Sequence, residues 1–167
     1  FTDIIAEKLA LIDPDNSGVY YNNAKEYIKQ LSALEDEYRW VVNNSKTDTL
    51  IVCDRFPFRY LTNEFSIKYY AAFSGCTSET DASFKTVSFL INKAEEVKTD
   101  CLITADGSDK KLARTVASCM EKKDIKILTL DSMQTISKSD IDSGKTYLSV
   151  MKNNLKTLSE ALNSEEK

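Results

Sequence analysis

The segment CLITADGSDKKLARTVASCMEKKDIKILTLDS, residues 101–132, decides the fold, because it indicates a strand, a helix and a second strand in close succession. The apolar runs CLIT (101–104) and IKILTL (125–130) are strand candidates, and KKLARTVASCMEKK (110–123) between them has helical spacing. A helix between two buried apolar strands is typical of a right-handed crossover. The two strands are therefore expected to lie parallel in one sheet.

The same alternation extends towards the N-terminus. TLIVC (49–53) and KYYAAF (68–73) are two further strand candidates, and helical patterns cover 58–65, 83–98 and 143–162. Strands that alternate with helices predict an α/β fold, here a four-stranded parallel sheet with helices on both faces. Because ligands of such sheets bind at the loops that follow the carboxyl ends of the strands, function is expected there.

The first 45 residues are predicted to be helical. FTDIIAEKLALI (1–12) has apolar residues at helical spacing and begins abruptly, without a capping residue, as though it continued a longer helix. Asp13 and Pro14 then supply an N-cap and a first-turn proline for a second, longer helix. An apolar stripe along this helix predicts that it packs on another element. The stripe consists of Tyr20, Ala24, Tyr27, Leu31, Leu34, Tyr38 and Val41.

The charge and hydropathy patterns exclude two classes of partner. The 167 residues carry 22 Lys and Arg against 26 Asp and Glu, for a net charge of −4, and no basic block occurs. Nucleic acid is therefore not an expected partner. No apolar run approaches the roughly 20 residues that cross a bilayer, and the N-terminus lacks the features of a signal peptide. The chain by itself is expected to be soluble.

The residue types that are missing also limit the chemistry. The chain has no histidine, which excludes Ser-His and Cys-His nucleophile pairs and removes the commonest metal ligand. Cys53, Cys76, Cys101 and Cys119 form no CxxC pair, and Cys53 and Cys101 border apolar runs, so these two are predicted to be buried small hydrophobic residues. With only four glycines the chain has no phosphate-binding loop, so nucleotide binding is not expected.

Charged side chains follow three of the predicted strands. Asp54 and Arg55 follow the first strand, Asp106 the third and Asp131 the fourth. If the last two strands are neighbours, Asp106 and Asp131 face the same mouth, and the capping residues after Asp106 leave it free. Two such carboxylates could bind a divalent cation, bind a cationic ligand, or act as an acid and a base. Spacing alone favours turn chemistry, since aspartate is common in strand-to-helix turns for capping reasons.

Two of the loops also have structural explanations. In CDRFPFRY (53–60), Pro57 would begin a helix with aromatic side chains packed beneath it, and Asp54 would cap that helix or pair with an arginine. The loop SGCTSETD (74–81) is small and polar, and a structural role is expected for it.

Three segments together resemble a known family. They are IDPDNSGVYYNNAKEYIKQLSALEDEY (12–38), DRFPFRYLTNEFSIKYYAAFSGC (54–76) and GKTYLSVMKNNLKTLSEAL (144–162). In this order they resemble the C-terminal half of the zinc/manganese class of ABC-transporter solute-binding proteins, a family of metal-binding lipoproteins and adhesins. The pattern Tyr147, Met151, Asn154 and Leu155 is typical of this class. The resemblance covers nearly the whole chain.

This resemblance implies two α/β lobes joined by one long rigid helix, with a metal ion held between the lobes. Residues 1–46 would be the end of that interlobe connecting helix plus a long packing helix, and 47–167 the C-terminal α/β lobe, within a single structural domain overall. The N-terminal lobe, with its signal peptide, lipid anchor and usually two histidine ligands, would be missing from this chain. The complete protein would lie at the extracellular face of the membrane and deliver Zn²⁺ or Mn²⁺ to an ABC permease, without catalysis.

The resemblance also implies which residues bind the metal. The family's third-strand carboxylate falls on Asp106 and its fourth-strand ligand on Asp131, whereas its first ligand in this lobe, a histidine, falls near Arg55. A guanidinium cannot coordinate a cation. Asp54 could replace the histidine through an oxygen, or Arg55 could orient a carboxylate ligand. Oxygen ligands alone would favour Mn²⁺ over Zn²⁺, and histidines of the missing lobe could reverse that preference.

Two other functions are compatible with the same residues. A flavodoxin-like enzyme would use Asp106 and Asp131 as an acid–base pair or Mg²⁺ site for a phosphate-bearing substrate, without histidine and without a phosphate loop. A diverged lobe would instead bind a small organic ligand, anchored by Arg55, or a protein partner through Phe56 and Phe58. In that case binding would survive replacement of both aspartates by alanine.

Overall fold

A computed structural model gives the structure of residues 1–73 and 82–163. Internal contacts divide the chain into two units, Phe1–Arg39 and Trp40–Lys167. The loop 74–81, which includes Cys76, lies outside the described residues. Within the described ranges, no helix has both the length and the apolar character required to cross a membrane.

The first unit contains helices joined by a proline turn. Helix α1 covers Thr2–Ile12, a short 3₁₀ helix covers Pro14–Asn16, and α2 covers Ser17–Asn43, with its last residues in the second unit. The Asp13 carboxylate accepts hydrogen bonds from the Tyr20 hydroxyl (2.7 Å) and the Asn16 side-chain amide (2.8 Å), which hold the pKa of Asp13 below its usual value. Asp13 is the N-cap residue and Pro14 lies in the first turn, as predicted, but of the short 3₁₀ helix, and the Asp13 side chain makes no capping hydrogen bond.

The second unit is built on a sheet of four parallel strands in the order β2-β1-β3-β4. The strands are β1 Thr49–Arg55, β2 Lys68–Phe73, β3 Cys101–Ala105 and β4 Lys126–Leu130. The predicted α/β fold with four parallel strands is confirmed. In this order β2 lies on one side of β1 and β3 on the other. The carboxyl ends of β1 and β3 therefore flank a topological switch point, where such sheets bind ligands.

Five helices accompany this sheet in the described part of the second unit. They are α3 Arg59–Glu64, α4 Phe84–Glu96, α5 Lys111–Cys119, α6 Lys138–Asp142 and α7 Tyr147–Ala161. Four of them lie where helices are predicted. Helix α6 is not predicted, since it has no buried residue and hence no apolar period.

The core lies between the sheet and its helices. Helices α4 and α5 share one buried cluster with β1 and β3, and α7 packs against β3 and β4 on the other face. The cluster comprises Ile51, Cys53, Leu90, Ala94, Leu102, Ala113, Val116 and Met120. Cys53 and Cys101 are buried, as predicted, and both are free thiols. Burial raises the pKa of the Cys53 thiol to about 12, so this thiol stays protonated at neutral pH.

Candidate functional site

The carboxyl end of β1 carries a β-bulge. Val52 pairs with Ala71 and Arg55 with Phe73, so two residues of β1 stand opposite one residue of β2. Bulges of this kind redirect side chains at the edges of sites. The carboxylate of Asp54, within the bulge, accepts hydrogen bonds from the backbone N–H groups of Arg55 (2.7 Å) and Ala105 (3.4 Å). Asp54 therefore links the ends of β1 and β3 and does not take the predicted role of capping α3, which has no side-chain cap.

The aromatic residues of the next loop are structural. Phe56 is 4% exposed and stacks on Tyr69 of β2 with ring centroids 3.6 Å apart, and Phe58 is also buried. Helix α3 begins at Arg59, two residues after the predicted start at Pro57. The two phenylalanines therefore have little surface to offer a protein partner, which removes the main observation behind that alternative.

Asp106 follows β3 and is surrounded by hydrogen-bond donors. Its Oδ1 accepts hydrogen bonds from the backbone N–H and the hydroxyl of Ser132, both at 2.6 Å, and its Oδ2 accepts one from the Thr135 hydroxyl at 2.5 Å. Burial disfavours the charged form, but the bonds from Ser132 and Thr135 outweigh it and lower the pKa of Asp106. β3 and β4 are neighbours, as the prediction required, but the expectation that Asp106 is free is wrong.

Asp131, at the end of β4, is held by three residues. Its Oδ1 accepts a hydrogen bond from the backbone N–H of Met133 (2.8 Å), and its Oδ2 lies 2.7 Å from Nζ of Lys145. The side-chain amide of Asn154, on α7, donates to the Asp131 carbonyl and accepts from the Asp131 N–H, each at 2.8 Å. Since Asn154 is only 3% exposed, helix α7 fixes the position of Asp131 through a buried contact.

Two cavities open at this edge of the sheet. The larger, of about 460 Å³, is lined by Asp54, Arg55 and Asp106 together with hydroxyl groups from the loops after β3 and β4. The smaller, of about 350 Å³, is lined by Asp131 and Lys145 with residues from the start of α7. The structure thus brings three of the four predicted site residues together and places Asp131 beside them in a cavity that it shares with Lys145.

The carboxylates at this edge of the sheet do not make up a metal site by themselves. Within residues 1–73 and 82–163, no three Cys, Asp or Glu side chains are grouped closely enough to hold a metal ion. The carboxylates of Asp54, Asp106 and Asp131 suit a divalent cation chemically, because each keeps a lone pair beyond its present hydrogen bonds, which for Asp106 is on Oδ2. A cation bound here would therefore need donors beyond these three carboxylates.

Sequence reasoning missed the residues that hold the two aspartates. Ser132 and Thr135 lie close to Asp131 in sequence, but their bonds go to Asp106. Asn154 is part of the sequence pattern that is typical of the family, but that pattern assigns no role to it. Nothing in the sequence indicates a role for Lys145. Both contacts to Asp131 span 14 or more residues, so no local pattern could reveal them.

A family model settles the relationship of this chain to known proteins. The model described as zinc-uptake complex component A, periplasmic (ZnuA), matches residues 1–161. The chain belongs to the ZnuA family. This membership confirms the resemblance that the three segments indicate.

Individual members of the ZnuA family agree with this result. The high-affinity zinc uptake system protein ZnuA of Bacillus subtilis (strain 168) is 28% identical over 158 residues, which are 95% of this chain and 48% of that protein. The manganese ABC transporter substrate-binding lipoprotein PsaA of Streptococcus pneumoniae is 26% identical over 160 residues, which are 95% of this chain and 50% of that protein. The chain spans about half the length of these relatives.

A solved structure shows the same fold. The metal-dependent lipoprotein YcdH from Bacillus subtilis superposes with a TM-score of 0.78 at 28% identity. The match covers 95% of this chain and 57% of that one. The ZnuA-family fold therefore extends over nearly all of the chain.

Proposed function

We propose that this chain is the metal-binding lobe of an ABC-transporter solute-binding protein, which captures Zn²⁺ or Mn²⁺ and delivers it to a membrane permease. The observation that carries the proposal is the match to the ZnuA family over residues 1–161. Carboxylates at the switch-point edge of the sheet support it, since this edge is where ligands of such sheets bind. The protein acts by binding and release, without catalysis.

Asp131 and Asp106 are the proposed ligands. Asp131 already attracts one cation, because its Oδ2 is paired with the Lys145 ammonium. The lowered pKa of Asp106 keeps that carboxylate ionised at neutral pH, and its Oδ2, which accepts one hydrogen bond, retains a lone pair for a metal ion. Asp54 is the proposed replacement for the family's histidine near Arg55, and Arg55 orients the carboxylates around the larger cavity.

The remaining ligands come, in this proposal, from the other lobe of the family fold. Residues 1–46 would connect to that lobe and 47–167 would form the C-terminal lobe. The complete protein would act at the extracellular face of the membrane beside its permease. Histidine ligands from the other lobe would favour Zn²⁺, whereas a site of oxygen ligands would accept Mn²⁺.

Titration of the full-length protein with Zn²⁺ and with Mn²⁺ by calorimetry tests this function. We expect a dissociation constant in the micromolar range or tighter for at least one ion, and weaker binding after Asp131→Ala or Asp106→Ala. Asp142→Ala, on the exposed surface of α6, is the matched control and should bind like the unsubstituted protein. Absence of micromolar binding of either ion would contradict the proposal.

A further inference from the structure

Lys145 lies in the short connection between α6 and α7. It follows Gly144, whose positive φ of 86° turns the chain, and its backbone N–H donates to the Asp140 carbonyl at 3.0 Å. Its Nζ reaches back to the end of β4, 2.7 Å from Oδ2 of Asp131, and lies 3.8 Å from Oδ1 of Asp140. The ammonium group therefore stands between two carboxylates and is closer to the one at the strand end.

This ion pair is more enclosed than an ordinary surface pair. The side chains of Lys145 and Asp131 are 31% and 24% exposed, whereas those of the pair between Lys68 and Asp48 are 72% and 55% exposed. Both partners also line the smaller cavity. Charges that are partly shielded from water interact more strongly than fully exposed ones.

The carboxylate in this pair has a fixed position. Asn154 binds both backbone polar groups of Asp131, and the Met133 N–H holds Oδ1, which leaves Oδ2 as the oxygen that faces Lys145. These contacts restrain Asp131 so that Oδ2 stays directed at the ammonium. A cation that binds this oxygen therefore competes with the lysine.

We infer that Lys145 competes with the metal ion for Asp131. Its ammonium occupies the position that the ion would take, and the ion binds Oδ2 only by displacing Lys145 towards Asp140. This inference rests on the proposed function, in which Asp131 is a ligand. A lysine charge beside a bound divalent cation is repulsive, and Asp140 is the nearby carboxylate that can take it. Lys145 thereby lowers the affinity of the protein for the metal ion and favours release of the ion to the permease.

The inference predicts a gain of affinity on removal of the lysine charge. Loss of a partly exposed ion pair changes an equilibrium constant by up to about fivefold, and loss of the repulsion adds to this. We expect Lys145→Gln to tighten the dissociation constants for Zn²⁺ and Mn²⁺ by about three- to tenfold in the full-length protein. Lys145→Arg keeps the cation and should bind like the unsubstituted protein, and so should Lys152→Gln, an exposed lysine on α7 that serves as control.

The test measures both dissociation constants by competition with a chromophoric chelator. If Lys145 had only a structural role, its loss would weaken binding or leave it unchanged, so equal or weaker binding by Lys145→Gln would overturn the inference and leave the proposed function intact. Absence of binding by the unsubstituted protein would overturn both. Lys145→Met, which also removes the charge, gives a second measurement with the same expected gain, and circular dichroism checks that each variant is folded.

Discussion

Replacing Asn154 with alanine removes the contact that ties α7 to the end of β4. Asn154 is 3% exposed, and its two 2.8 Å hydrogen bonds satisfy the N–H and the carbonyl of Asp131. Each polar group left without a partner costs about 1–3 kcal/mol when it is buried. Because Asp131 is not fully buried, with its side chain 24% exposed, we expect the low end for each group. The sum is a destabilisation of about 2–3 kcal/mol.

The assay is equilibrium unfolding of the full-length protein in urea, followed by circular dichroism. With a slope of about 2 kcal/mol per molar urea, the midpoint should fall by about 1 M. Asn153→Ala is the matched control, since Asn153 is the exposed neighbour on the same helix. Both substitutions gain the same helix propensity, about 0.5 kcal/mol, so the difference between them isolates the buried contact. Equal midpoints for the two variants would refute the reasoning.

Three further predictions concern other parts of the second unit. The lowered pKa of Asp106 means that its ionised form stabilises the folded protein above the unfolded pKa of about 4, and that this contribution is lost as the pH falls below that value. Asp106→Asn should therefore flatten the loss of stability between pH 5 and pH 3, measured by urea midpoints. Phe56→Ala should lower the free energy of unfolding by about 3–4 kcal/mol, because this buried ring stacks on Tyr69. Cys53, buried and with a pKa raised to about 12, should resist iodoacetamide at pH 8 until the protein is unfolded, as peptide mapping would show.

Each of these predictions has a control in the same chain. Asp142→Asn, at an exposed position of α6, is the control for Asp106→Asn, and an equal effect of the two substitutions would count against the role given to Asp106. Tyr60→Ala, at a side chain 91% exposed, should change the stability by less than about 0.5 kcal/mol. Cys119, which is exposed, should react in the folded protein. Reaction of Cys53 at the same rate would show that β1 is not packed as described.

The sheet could be predicted from sequence because its strands are short apolar runs bounded by polar turns. Residues 49–53 and 101–104 were predicted as strands, and the observed β1 and β3 differ from these only at their carboxyl ends. The extension of β1 includes the bulge at Asp54, which depends on pairing with β2 and has no local signature. The ends of the strands are thus the least predictable part of this sheet.

Helix α6 cannot be recognised from hydrophobic periodicity. It has five residues and buries none of them, so no apolar period marks it. A signal was present in the capping box, in which Ser137 and Asp140 bind each other's backbone N–H groups. The predicted helix over 143–162 begins at Tyr147 in the structure, since Thr146 caps it with Ser149.

The sequence predicts acidic residues at the ends of two neighbouring strands, and it does not predict their contacts. Acidic residues at the ends of β3 and β4 follow from the sequence, and the neighbouring positions of these strands follow from the fold. The partners of Asp106 and Asp131 depend on how loops and α7 fold back onto the sheet, which sequence spacing does not encode. The ion pair between Lys145 and Asp131 is the clearest example of such a contact. Only the 2.7 Å distance between the two side chains in the structure reveals it.

The most direct test of the central claim is elemental analysis of the full-length protein purified from rich medium, together with its Asp106→Ala and Asp131→Ala variants. We expect about one equivalent of zinc or manganese in the unsubstituted protein, because a tight site stays filled when the ion exceeds its dissociation constant. Both variants should contain less metal, and Asp142→Ala should keep the full amount. A metal-free unsubstituted protein, or variants that retain the full equivalent, would contradict the account.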